Sequence, residues 1–277
     1  MSFSPEQTAK WLESLKSAGI DEASQDLRHL ILAGDSIADI DAMVERRSAR
    51  EPLSQILGDK PFWTLDLKVT PDVLTPRADT ETLVETVLKQ IESKTAKVEI
   101  ADFGTGSGAI LLALLAECPN ASGLGIDISE SALEIAKENA LRNQLADRVE
   151  FRIGNWAEAI PDESLDIAVS NPPYIASAVI DTLDPEVRDY EPHLALDGGD
   201  DGLDVYRILL PELFRVLCPG GLMAVEIGYD QADTVMVLAK AAGFENPVMT
   251  RDLVGQPRII HGFKRENRGG NTLLENE

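Results

Sequence analysis

From residue 98 onward, short apolar runs alternate with longer helical segments, and this alternation restricts the chain more than any other feature. The runs 98–103, 122–126, 149–153, 165–169 and 222–227 read as strands. Between them, 109–117, a segment capped by Ser129 that continues through Asn143, and about 203–217 read as helices. Strands that alternate with helices build a parallel sheet covered on both faces. The last stretch, 248–263, reads as an antiparallel pair around Gly255-Gln256-Pro257. No internal repeat is present.

Upstream, residues 1–58 have a different character. Ser4-Pro5-Glu6-Gln7 carries a capping box with proline at the first helical position. Three short helical stripes follow, through Trp11, Leu12 and Leu15, then Leu27, Leu30 and Ile31, then Ile40, Met43 and Val44. A fourth segment, 52–57, is stopped by Gly58. Helices this short do not stand alone, so they are expected to pack as a bundle. At 62–69 the period changes to two, with Trp63, Leu65, Leu67 and Val69 on one face, a strand signature. The organisation expected is a helical region 1–58, a hairpin-like connector 59–76 and an α/β domain 77–264. Asp79 or Thr80 would cap the helix that opens the α/β domain. Residues 265–277 are polar and aperiodic and read as a disordered tail.

The stretch Ser170-Asn171-Pro172-Pro173-Tyr174 follows one of the apolar runs. Two prolines cannot continue a central strand, because neither has an N–H for the ladder. The strand must stop there, and Pro172 pushes Asn171 toward an extended conformation. This puts a stiff polar turn at a strand's carboxyl end, where open α/β sheets bind ligands. Asn171 Oδ1 and the Pro172 carbonyl can accept the two hydrogens of a planar –NH2 group, and Tyr174 can cover its π face. The plain alternative is a proline-rich loop with a capping asparagine. A long insertion, 175–200, follows and is expected to border the site.

The first strand of the α/β pattern runs into Gly104-Thr105-Gly106-Ser107-Gly108, which lets a ligand approach the backbone and presents N–H groups at a helix start. Asp127 closes the next strand, where a carboxylate can accept from both ribose hydroxyls. Gly104-x-Gly106-x-x-Ala109 also satisfies the dinucleotide fingerprint, so NAD competes for this site. Two features favour S-adenosylmethionine. Asp102 precedes the turn, where it would attract an ammonium and repel a pyrophosphate, and the Asn171–Tyr174 turn suits a nitrogen nucleophile. Trp156, after the third strand, is placed to pack on an adenine, or else is a core aromatic. Asp127 taken alone also fits a helix-capping carboxylate.

Composition removes several classes. The formal charge is −23, from 48 acidic and 25 basic residues, which repels bare nucleic acid and suits a basic protein partner. Arg46, Arg47 and Arg50 cluster, and read as a solvated helix face. No run approaches the roughly 18 apolar residues of a membrane span. No secretory signal is evident. The two cysteines, Cys118 and Cys218, each sit in an apolar helical pattern and read as buried thiols in a reducing compartment, hence a cytoplasmic protein. His29, His193 and His261 have no metal-ligand spacing, so no metal is expected.

Arg50-Glu51-Pro52-Leu53, Ile56-Leu57-Gly58, the run from Val73 to Glu81, the glycine turn and Ser170 to Ile175 together resemble the peptide chain release factor glutamine methyltransferases (the HemK/PrmC family). Tyr190-Glu191-Pro192, Ala195 to Gly199, Gly202-Leu203, Glu226 to Tyr229 and Asp252-Leu253 with Gly255 and Arg258 extend the resemblance over about 46–263. It implies an α/β fold, a Rossmann-like seven-stranded class I methyltransferase domain joined by a hairpin to a small N-terminal helical-bundle domain that docks substrate. It further implies S-adenosylmethionine as donor, bound at Gly104, Thr105, Gly106, Ser107, Gly108, Asp127, Trp156 and Asn171. The implied substrate is the glutamine of the Gly-Gly-Gln loop of class 1 release factors. That glutamine would be held at Asn171, Pro172, Pro173 and Tyr174, with Asn171, Pro172 and Tyr174 catalytic. Two positions depart from the pattern: Asn155 stands where aspartate is usual, keeping an acceptor oxygen without the charge, and Phe103 replaces leucine. Asn-Pro-Pro-Tyr also occurs in enzymes that methylate adenine or guanine amines. The alternative substrates are therefore a ribosomal-protein glutamine or an exocyclic nucleobase amine.

Overall fold

The computed structural model describes residues 3–265. The tail expected at 265–277 lies, after Arg265, outside the described residues.

Four helices open the chain: α1 (Pro5–Ser17), α2 (Ala23–Ala33), α3 (Ile37–Ser48) and α4 (Leu53–Leu57). They close on a core of Trp11, Leu15, Leu27, Leu30, Ile40, Val44 and Ile56. Ser4 caps α1 by accepting from Gln7 N at 3.1 Å. Only half of the expected capping box forms, because the Gln7 side chain reaches Asp41 instead, at 3.4 Å. Trp11 Nε1 donates to the same carboxylate at 2.6 Å, tying α1 to α3. Gly58, at φ +77°, ends α4 in a conformation that a side chain resists.

Inside the hairpin-like connector expected over 59–76, β1 (Asp59–Phe62) and β2 (Leu65–Lys68) form a hairpin with Phe62 paired to Leu65, so the strand pattern read over 62–69 is broken at its start. The turn sits on Trp63, at φ +55°. Tertiary contacts hold this disfavoured conformation: Trp63 N donates to Glu81 Oε1 at 2.8 Å and Trp63 Nε1 to Glu117 Oε1 at 3.0 Å.

The remainder is a mixed seven-stranded sheet with helices on both faces. In chain order it comprises α5 (Glu81–Gln90), β3 (Glu99–Phe103), α6 (Ala109–Glu117), β4 (Ser122–Asp127), α7 (Glu130–Arg142), β5 (Val149–Ile153) and β6 (Leu165–Ser170). The insertion then supplies α8 (Ser177–Ile180) and α9 (Pro185–Arg188), followed by α10 (Asp204–Val216), β7 (Leu217–Glu226), α11 (Ala232–Ala242), β8 (Glu245–Arg251) and β9 (Pro257–Phe263). The strand order is β5-β4-β3-β6-β7-β9-β8. β5 through β7 run parallel, and β9 is antiparallel to both of its neighbours. Alternate residues feed two cores. Ile100, Ile167, Val169 and Leu222 face α6, while Ala101, Phe103, Ala168 and Met223 face α10. α6 is apolar all round and wholly buried from Ala109 to Leu115. The chain leaves β3 in one direction and β6 in the other, so a crevice opens between their carboxyl ends.

Two further expectations change. Cys218 lies in β7, only half-buried, and its thiol donates to the Glu163 carbonyl at 2.9 Å. The arginine cluster is not a solvated face. Arg46 pairs with Glu51, and Arg47 and Arg50 both bind Glu186 of α9, at 3.0 and 2.6 Å. The insertion is thereby strapped to the helical bundle. Tyr190 Oη, which donates to the Ala49 carbonyl at 2.8 Å, strengthens the strap.

Candidate active site

A cleft of about 280 Å³ opens at that crevice. Gly104, Gly106, Asp127, Trp156, Asn171 and Pro173 line it, so the structure brings these sequence-selected residues together. Thr105, Ser107, Gly108, Pro172 and Tyr174 are not part of its lining. Asp72, Val73, Leu74, Ile128 and Leu194 also line it, and none was singled out as a site residue from sequence. Leu194 places the insertion at the cleft, as its length suggested.

The glycine turn offers less to an anion than its sequence implies. Gly104 and Thr105 N–H donate to the Ile126 carbonyl, Gly108 N–H to the Thr105 carbonyl and Gly106 N–H to Asp127 Oδ2 at 2.8 Å. Little is left for a pyrophosphate. The positive φ of Gly104, +73°, brings its backbone against Trp156, where an added Cβ would stand 3.4 Å from the indole. Gly104 and Trp156 thus border the cleft side by side.

Asp127 accepts Gly106 N–H through one oxygen and Ser129 N–H through the other, at 2.8 and 2.9 Å. Each carboxylate oxygen keeps a lone pair for a hydroxyl. The helix cap is Ser129 itself, which accepts from Ala132 N at 3.2 Å. Asn155 also lines the cleft, and its Nδ2 donates to Glu158 at 2.7 Å.

Asp102 lies under the turn with 0% exposure. Thr105 Oγ1 donates to its Oδ2 at 2.8 Å, and Oδ1 has no partner. Burial pushes its carboxyl up to about 7, helped by the Asp127 charge and opposed by Thr105. At neutral pH it therefore carries only part of a charge, and the repulsion of a pyrophosphate expected from it is correspondingly weaker. An arriving ammonium would restore the full charge.

The Asn171–Tyr174 turn is held from several sides. Ser170 Oγ donates to the Phe103 carbonyl at 2.6 Å, joining β6 to β3 at the crevice. Gln231 Nε2 donates to the Tyr174 carbonyl at 2.9 Å. Gly198 packs so tightly that a Cβ there would stand 2.8 Å from Tyr174 Cα. Asn171 Nδ2 donates to Thr80 Oγ1 at 3.3 Å, which leaves Asn171 Oδ1 as the acceptor. Among the described residues neither that oxygen nor the Pro172 carbonyl accepts a hydrogen bond. Thr80 does not cap α5 as expected, since its side chain makes no cap bond and serves Asn171 instead. Tyr174 Oη donates to Glu226 Oε1 at 3.3 Å.

These features fit S-adenosylmethionine: a cleft bordered by Trp156 with apolar walls at Ile128 and Leu194, open lone pairs on Asp127, and the unpartnered Asp102 oxygen under the turn. Residues 77–185 match the methyltransferase small domain family. A release factor glutamine methyltransferase of Caulobacter vibrioides is 47% identical over 270 residues, covering 91% of this chain and 93% of that protein. One of Rhodospirillum rubrum is 43% identical, covering 91% and 82%. Among solved structures, a methyltransferase from Pyrococcus furiosus superposes with a TM-score of 0.54 at 19% identity, over 83% of this chain and all of that one. The ribosomal protein L11 methylase of Lactobacillus delbrueckii gives 0.51 at 19% identity, over 69% and 80%. At such identities the superpositions establish the fold alone, one shared with methyltransferases. Identity sustained at this level over nine-tenths of the chain goes further than fold: the chain belongs to the release factor glutamine methyltransferase family.

Proposed function

We propose that this protein transfers a methyl group from S-adenosylmethionine to the side-chain amide nitrogen of the glutamine in the Gly-Gly-Gln motif of class 1 peptide chain release factors. The observation that carries the reading is the pair of open acceptors on one braced turn, Asn171 Oδ1 on a residue that lines the cleft and the carbonyl of the adjoining Pro172. When bound, the donor supplies an electrophilic sulfonium methyl.

An amide nitrogen is a poor nucleophile because its lone pair is delocalised into the carbonyl. Asn171 and Pro172 hold its two hydrogens and so fix where the lone pair points; orientation of this kind removes much of the barrier. The same acceptors favour positive charge developing on nitrogen in the transition state. Tyr174 covers the amide plane and Pro173 closes the wall beside it. Gly104 and Gly106 let the donor approach the backbone, Thr105 braces Asp102, and Ser107 and Gly108 complete the bend. Asp127 takes the ribose hydroxyls and Trp156 the adenine. The proton leaves after the methyl arrives, so no strong base is required at the nitrogen.

The helical region 1–58 serves as the docking surface for the protein substrate, with 59–76 as its connector to the catalytic domain 77–264. The acidic chain acts in the cytoplasm on a protein and not directly on nucleic acid. The test is competition for label: purified protein and labelled S-adenosylmethionine are offered unmethylated release factor, ribosomal proteins and RNA together. Label in the release factor supports the reading. Label confined to a ribosomal protein or to RNA keeps the donor chemistry and overturns the substrate.

A further inference from the structure

α7 turns one stripe of side chains toward the cleft and the chain around it. Ala132 lines the cleft, and Ile135, Ala136 and Asn139 follow at the i+3, i+4 and i+7 spacing of a single helix face. Asn139 is 0% exposed, and no step of the reaction uses it. Its Oδ1 accepts Lys68 N–H at 2.6 Å, and its Nδ2 donates to the carbonyls of Lys68 at 3.0 Å and Ser107 at 2.9 Å. A carbonyl only accepts, so both amide hydrogens are engaged and the orientation of the side chain is fixed.

One side chain thus joins two distant pieces of chain that both reach the cleft. In the connector, Val69 N–H donates across the hairpin to the Gly58 carbonyl, so the N–H and C=O of Lys68 face away from β1. Asn139 takes both, as a neighbouring strand would. The chain then runs on to Asp72, Val73 and Leu74, which line the cleft, and Val73 is buried against Ala132 and Ile135. In the glycine turn, Ser107 adjoins Gly106, which lines the cleft and donates its N–H to Asp127 Oδ2 at 2.8 Å. Gly108 brings this turn close to the same stripe, since a Cβ there would stand 3.3 Å from Ala136 Cβ.

We propose that Asn139 is a positioning residue for the donor: its amide holds the connector and the glycine turn at the spacing at which Asp72, Val73 and Leu74 line one cleft with Gly106 and Asp127. This rests on the reading of that cleft as the S-adenosylmethionine site given under the proposed function.

Other braces of the hairpin stop short of the turn. Asn143, further along α7, donates to the Asp66 carbonyl at 3.1 Å, and Lys68 Nζ pairs with Glu138 at 2.6 Å. These contacts seat the connector on α7 without touching Ser107. Asn139→Asp, by contrast, keeps an acceptor for Lys68 N–H but sets a carboxylate oxygen against two carbonyls. Both donated bonds are lost, and the connector and the turn are free to move apart.

The test measures donor affinity by calorimetry, and kcat and both KM values by methyl transfer to release factor, for wild type, Asn139→Asp and Asn143→Ala. Asn139→Asp should bind donor at least about tenfold more weakly and raise the donor KM to match, with kcat at saturating donor and the release factor KM within about twofold of wild type. Asn143→Ala loosens the hairpin and leaves the turn alone, so its donor affinity should stay within about twofold of wild type. Equal weakening in both variants would make Asn139 an ordinary brace of the hairpin and overturn the proposal. Wild-type donor affinity in Asn139→Asp, or a loss confined to kcat, overturns it too.

If Asn139→Asp does not fold, wild type alone gives the answer, because a bond that helps the donor bind must itself be strengthened by the donor. Added S-adenosylmethionine should slow hydrogen exchange at Lys68 N–H, which Asn139 holds, at least about tenfold more than at Val69 N–H, which the hairpin holds. Equal slowing at the two amides, or none, is fatal to the proposal. A wild type that binds no S-adenosylmethionine would defeat the donor site itself, whereas equal donor binding by wild type and Asn139→Asp defeats only the role of Asn139.

Discussion

Replacing Asp102 with asparagine should change stability with opposite signs at the two ends of the pH range. The carboxyl is fully buried, shares one hydrogen bond with Thr105 and leaves Oδ1 without a partner. An acid whose folded value lies above its unfolded one stabilises the fold below the unfolded value, and that stability is lost as pH rises through the folded value. For Asp102 the window runs from 3.8 to about 7. At 1.36 kcal/mol per pH unit, the native protein gives up roughly 4 kcal/mol across it. Asparagine cannot ionise and avoids this loss. Its Oδ1 keeps the Thr105 hydroxyl, and its Nδ2 takes the partnerless position at a cost of about 1–3 kcal/mol. The variant should therefore be more stable than wild type by about 1–3 kcal/mol at pH 8, raising Tm by about 2–8 °C. At pH 4 only the cost remains, and the variant should be less stable by about the same amount. Thermal melts at pH 4, 6 and 8 without donor read this directly. Added donor should then raise the Tm of wild type more than that of the variant, because an ammonium restores the Asp102 charge. A variant that melts below wild type by the same margin at pH 4 and pH 8 would refute the electrostatic account.

Arg47→Ala strips the partner from buried Asp26 and breaks one of the two links to Glu186, so urea denaturation should show a loss of about 3–5 kcal/mol. Limited proteolysis should cut the variant sooner within 175–200, since the strap that holds α9 is loosened. Gly104→Ala forces a side chain into the left-handed region and toward Trp156, costing about 1–2 kcal/mol of stability. Its larger effect should be on donor affinity, seen by calorimetry, because the methyl narrows the cleft beside the indole.

Much of the fold was legible because parallel strands and their covering helices have different periods, and because Pro172 and Pro173 can only end a strand. The glycine turn and Asp127 were found at their expected places for the same local reasons. The hairpin turn was hidden: Trp63 continues an alternating pattern with Leu65 and Leu67, and only its contacts to Glu81 and Glu117 show why the chain reverses there. α11 was missed because Val235, Met236, Val237 and Leu238 form an apolar run that suits either period. Thr80, Arg47 and Arg50 were misread since a helix cap and a solvated face are decided by local sequence, whereas their partners, Asn171 and Glu186, lie far along the chain. The N–H groups of the glycine turn read as available in sequence, whereas those of Gly104, Thr105, Gly106 and Gly108 are occupied in the fold.

The most direct test of the account is the position of the transferred methyl. Unmethylated class 1 release factor would be incubated with S-adenosylmethionine and wild type or Asn171→Ala protein, then digested and mapped by mass spectrometry. The account predicts one added methyl, on the Gly-Gly-Gln glutamine, absent or reduced by at least about a hundredfold with Asn171→Ala while donor affinity holds within a few-fold. A methyl on any other residue, or an Asn171→Ala protein that modifies the glutamine at the wild-type rate, would contradict it.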